Sequence, residues 1–124
     1  MTREERAAQI WPLLTFAASM RVTLTYGRLA QLVGGIPQGL GRWLEPIQSY
    51  CLINGLPPLT VLVVSEIDGM PGSGFIAAAD VPDAQARVFR HDWLAMKHVP
   101  NAAELADAVA RHPSNGTATS KGDG

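Results

Sequence analysis

A mainly helical α/β fold with a small sheet is predicted for this chain, and three observations predict it. Residues 22–44 carry two short helical patterns, separated by Gly34-Gly35 and opened by Thr25 and Pro37. Residues 59–64, Leu-Thr-Val-Leu-Val-Val, form a nearly continuous β-branched and aliphatic run. That run leads into a stretch around Met70-Pro71-Gly72-Ser73-Gly74-Phe75 that is too rich in glycine and proline for a regular helix. Two helices across a tight turn, then a strand, then a glycine-rich loop is the order of a winged helix-turn-helix, here followed by additional C-terminal helices.

Each element has its own local reason. Thr2 and Glu5 fit a capping box, so a first helix starts there, with Ala7, Ile10, Trp11, Leu14 and Ala18 on one stripe. Pro12 is expected to kink or restart it, because proline has no amide hydrogen. Val22 and Leu24 alternate with Thr23 and Thr25, which predicts a very short strand. Thr25 then caps a helix over 26–33, ended by Gly34-Gly35. Pro37 suits a first helical position, so 37–44 is predicted as the second, recognition-type helix. Pro46 marks a break, followed by one or two helical turns over 47–53.

The run at 59–64 is predicted as a strand covered on both faces and as the best buried element. Residues 71–75 are read as a wing. Pro82 and Asp83 open a helix to about Met96, with Ala86, Phe89, Trp93 and Met96 on one face. Asn101 and Glu104 repeat the capping box and start a last helix ending near His112.

With 124 residues, one domain is expected. It spans 1–112, and 113–124 is polar, glycine-rich and predicted to be a disordered tail. A hydrophobic fraction of 47% against 17% charged residues fits a globular protein. No apolar run reaches the ~20 residues a membrane span needs. The opening residues lack the basic-then-apolar order of a secretory signal. The lone Cys51 allows no internal disulfide and no cysteine-rich metal site. A cytoplasmic protein with no membrane contact, cofactor or metal is expected.

The net charge of −1 argues against a strongly basic nucleic-acid binder, but the charges are unevenly spread. Residues 1–65 hold five arginines against three glutamates, a net +2, while 66–124 carry a net −3. A mildly basic front half can meet phosphate, weakly and with strong salt dependence.

The residues Thr25-Tyr26-Gly27-Arg28-Leu29-Ala30, then Leu40-Gly41-Arg42-Trp43-Leu44, then Leu56-Pro57 before a valine-rich run carry a family resemblance. They are similar to the C-terminal winged-helix domain of the O6-alkylguanine-DNA alkyltransferases and alkyltransferase-like proteins. That family's pattern reads TYG-x-(I/L)-A, then R-x-V-G-x-A-L, then PCHRV, and the resemblance covers roughly half the chain. It implies a DNA-binding surface on which Tyr26 approaches the backbone. The departures matter as much. The nucleophilic cysteine position holds Pro58, followed by Leu59 and Thr60 where the family has histidine and arginine. Alkyl transfer by that route is therefore excluded. Gln38 stands where the resemblance places the arginine that fills the space of a flipped base, which leaves base flipping without its usual support.

A non-enzymatic protein is therefore expected, with double-stranded DNA as partner through Tyr26, Arg28, Gln38 and Arg42. Gln38 has the donor and acceptor to read adenine in the major groove. The alternative is a small adaptor or inhibitor that binds protein, or a second copy of itself, through an exposed apolar ledge of Trp43, Phe75 and the 56–59 prolines and leucines. Cys51 has no neighbouring histidine and reads as a small buried residue. His91-Asp92, adjacent on a helix, point apart and make no catalytic pair. Glu66, Asp68, Asp80 and Asp83 have no lysine near them and read as turn and cap residues, not a metal-dependent nuclease centre.

Overall fold

A computed structural model describes residues 1–72 and 79–113. Among these residues are five α-helices, α1 (Arg3–Ser19), α2 (Tyr26–Val33), α3 (Leu40–Ile53), α4 (Val81–Arg90) and α5 (Ala102–Arg111), and a minimal sheet. The sheet pairs β1 (Leu24–Thr25) with β2 (Val63–Val64) in parallel, Leu24 opposite Val63 and Thr25 opposite Val64. The described residues are thus mainly helical with a small sheet, as expected.

The helix starts follow local chemistry. The Glu5 amide donates to Thr2 Oγ1 at 3.0 Å while the Thr2 amide donates to Glu5 Oε1 at 2.7 Å. The same reciprocal box joins Asn101 and Glu104 at the head of α5. Thr25 caps α2 through the Arg28 amide, and Gly34 closes that helix at φ 77°.

Three expectations are corrected by packing. Pro12 does not restart its helix and Pro46 does not break its own: α1 runs through the first and α3 through the second. Pro12 faces solvent, so the bond it cannot make is lost on the wet side of α1. Pro46 is fully buried, as are Ile47 and Ser49 of the same helix. There the burial of α3 against α1 and α5 offsets a helix-interior proline's cost of ~3 kcal/mol. The predicted separate turn over 47–53 is therefore part of α3. At its front, Pro37–Gly39 is a 3₁₀ turn and not yet α-helix.

The 59–64 run is the second correction. Leu59, Val61, Leu62 and Val63 are fully buried, as predicted, yet Leu59–Leu62 is a 3₁₀ turn and only Val63–Val64 is strand. This turn is covered by α1, α3 and α4, so helices and not neighbouring strands bury it. A continuous apolar run does not distinguish the two cases.

The third concerns the helix predicted to reach Met96. α4 ends at Arg90, His91 turns extended, and Asp92 caps a separate 3₁₀ turn, Trp93–Ala95, by accepting from the Ala95 amide at 3.2 Å. The break swings Trp93 into the core, where its ring centre lies 5.8 Å from that of Trp11 and its Nε1 donates to the Val88 carbonyl. α4 consequently buries Ala84 and Val88, whereas Phe89 and Met96 only edge the core. The central layer is α3 against α1 and α5, with Ile10, Leu14, Leu40, Ile47 and Leu105 inaccessible to solvent. The predicted tail from 114 and the outer part of the predicted wing, including Phe75, lie outside the described residues.

Candidate nucleic-acid interface

The residues predicted to meet DNA cluster around α2 and the head of α3. Three residues, Gly34, Gly35 and Ile36, separate α2 from the 3₁₀ turn that leads into α3. Arg28 stands in the first turn of α2 and Arg42 in the first turn of α3, with Gln38 in the intervening 3₁₀ turn; all three are exposed. Among the described residues, none of these three side chains makes a hydrogen bond or ion pair.

Tyr26 has a different setting. It is half-buried at the edge of the core, and its hydroxyl accepts from the Gly72 amide at 2.9 Å. A side chain at Gly72 would put its Cβ 2.5 Å from that hydroxyl, so glycine is needed for the approach. Val64 also bridges Pro71. Tyr26 thereby fastens the start of the glycine-rich loop to the first turn of α2.

Trp43 is half-buried and not an exposed ledge residue. The Arg6 guanidinium lies over its ring, and the backbone at Gly35 comes so close that an added Cβ would sit 2.6 Å from the ring edge. Arg6 also donates to the Val33 carbonyl at 2.6 Å. Pro58 and Leu59 are buried and Leu56 and Pro57 half-buried, so Pro58 and Leu59 take no part in the expected ledge. Sequence reading missed the Arg6 clamp, since no local pattern links residues so far apart. It missed Arg3 too, which bonds Glu4 at 2.9 Å and the nearly buried Glu45 at 3.0 Å.

The other reactive side chains are accounted for by structure. Burial pushes the Cys51 thiol up to about 12, so it is not a thiolate at neutral pH. Asp68 accepts from the Met70 amide, and Asp80 caps α4. His91 packs edge-on to Trp93, and His98 meets Glu104. Among the described residues no group of three or more histidine, cysteine, aspartate or glutamate side chains is placed to hold a metal ion. No helix among them is long and apolar enough to cross a membrane.

No family model, curated protein or solved structure matches the chain. The surface is therefore read from its own chemistry.

Proposed function

We propose that this chain is a non-enzymatic protein of winged-helix type that binds double-stranded DNA, with α2 and the head of α3 as its reading element. The observation that carries this is the sorting of its arginines. Arg3 and Arg6 are engaged inside the fold, whereas Arg28 and Arg42 stand in solvent with no carboxylate partner among the described residues. Both occupy first turns, where the helix macrodipole adds partial positive charge and favours phosphate. Gln38 between them carries the donor and acceptor that pair with adenine. The Tyr26 contact to Gly72 holds residues 71–72 against α2, which supports the reading of the stretch they open as a wing. The likeness of residues 25–30 to the alkyltransferase motif supports the same reading, and Pro58 in its nucleophile position supports binding without alkyl transfer.

Fluorescence anisotropy with a labelled random duplex at about 50 mM and about 200 mM salt tests it. Saturable binding that weakens steeply with salt is expected. Arg28→Glu and Arg42→Glu should each lower affinity and make the salt slope shallower by about 1. No binding at the lower salt would remove the reading.

A further inference from the structure

β1 and β2 run in parallel, with Thr25 opposite Val64. Two residues beyond each, the chain reaches Gly27 in the first turn of α2 and Glu66 in the turn that follows β2. The register therefore delivers an acid to the amino end of α2. The turn that carries it is braced by its own bonds. The Ser65 amide donates to the Met70 carbonyl at 2.8 Å, the Gly69 amide to the Ser65 carbonyl at 2.9 Å, and the Ile67 amide to Ser65 Oγ at 3.1 Å. The backbone around Glu66 is thus held, while its side chain is exposed and makes no hydrogen bond or ion pair among the described residues.

Glu66 Oε1 rests against the bare flank of Gly27, in the space a Cβ would take, so a side chain at position 27 would displace it. The Cα–Cβ bonds of a helix tilt toward its amino end, so an anion in that space lies beside the positive end of the α2 dipole. Arg28, assigned above to phosphate, is the next residue. The chain's own carboxylate therefore stands at the end of α2 to which a DNA phosphate would be drawn.

We propose that the flank of Gly27 is a phosphate seat of the DNA-binding surface and that Glu66 is its built-in competitor, swinging out when a backbone phosphate takes its place. This rests on the DNA-binding reading given above. The two anions exclude each other from the seat, because juxtaposed like charges repel strongly at an interface. Departure of the carboxylate leaves no hydrogen bond unmade, so Glu66 lowers affinity without closing the surface. Asp68 lies in the same turn but is held differently: its carboxylate accepts from the Met70 amide at 3.0 Å. It serves as the control for charge alone.

Anisotropy of the labelled random duplex with the full chain at about 50 mM salt tests the proposal. Glu66→Gln keeps the size and removes the charge at an exposed position. It should tighten binding about three- to tenfold, and the gain should shrink at about 200 mM salt as screening sets in. Asp68→Asn removes the same formal charge from the same turn and should change affinity less than about twofold. Without DNA, the Gly27 and Arg28 amide resonances should shift in Glu66→Gln and stay in place in Asp68→Asn, which reads the seat independently of any duplex. Equal affinity of Glu66→Gln and wild type, or an equal gain with Asp68→Asn, overturns the proposal and leaves the DNA reading standing. Unmoved Gly27 and Arg28 amides in Glu66→Gln overturn it as well. If neither wild type nor Glu66→Gln binds the duplex, the DNA reading falls and the seat falls with it, whatever the amides show.

Discussion

The Arg6 guanidinium lies 4.9 Å from the centre of the Trp43 ring while its Nη1 donates to the Val33 carbonyl at 2.6 Å. One side chain on α1 thus holds the carboxyl end of α2 and the first turn of α3 together. The mutual setting of Arg28, Gln38 and Arg42 depends on it, although Arg6 is not part of their surface.

Arg6→Ala should therefore cost about 1–3 kcal/mol of stability, from a lost charged hydrogen bond, cation–π contact and stem packing. Arg6→Lys keeps the charge but not the planar fork, so it should recover only part. Urea unfolding checks both, and a midpoint unchanged by Arg6→Ala would show that the clamp contributes nothing.

Gly34 and Gly35 adjoin but answer to different constraints. Gly34 sits at φ 77° with open space around its Cα, so Gly34→Ala is opposed only by the backbone, at about 1 kcal/mol. At Gly35 an added Cβ would lie 2.6 Å from Trp43 Cζ3, a rigid ring held by Arg6. Gly35→Ala should cost about 1–3 kcal/mol by overpacking. In combination with Trp43→Leu the cost should be less than the two single costs added. Additive costs in that cycle would place the strain elsewhere.

What was legible in the sequence was what is decided within a few residues. The Thr2–Glu5 and Asn101–Glu104 boxes, the Thr25 cap and the Gly34 stop each need only neighbours along the chain, and each forms. Pro46 was misread because its local cost is offset by helices from elsewhere in the chain. The 59–64 run misled for a related reason: its burial was evident but the identity of what buries it was not. Arg6 looked like any front-half arginine, because its partners, Val33 and Trp43, meet it only through tertiary packing. Charge segregation marked all five front-half arginines alike, and Arg28 and Arg42 stood out only by their place in the motifs of residues 25–30 and 40–44.

Cys51 gives a reactivity prediction. Its thiol is pushed from 9.0 to about 12 by burial, so the folded protein keeps it neutral at pH 8. A thiol-specific reagent should leave the native chain unmodified and react at an ordinary rate in urea. A folded-state pKa above the unfolded one means that the favourable contribution is fully present below about 9 and is lost as pH rises toward about 12. Stability should accordingly fall in that alkaline window, less steeply in Cys51→Ala. Rapid native labelling at pH 8 would contradict the buried placement.

Glu104 gives the opposite sign at acid pH. The Asn101 amide, and after it His98, hold its carboxyl below the ordinary value of 4.5. A folded-state pKa below the unfolded one means that the stabilisation is present above 4.5 and is lost as pH falls through the lowered value. Wild type should therefore exceed Glu104→Gln in urea midpoint at pH 7, and the gap should close on acidification. His98→Ala should leave most of the gap in place, because the Asn101 amide is the stronger cause and the His98 pair is exposed to screening. A gap that persisted unchanged well below pH 4.5 would mean that Glu104 stabilises the start of α5 by packing and not through its charge.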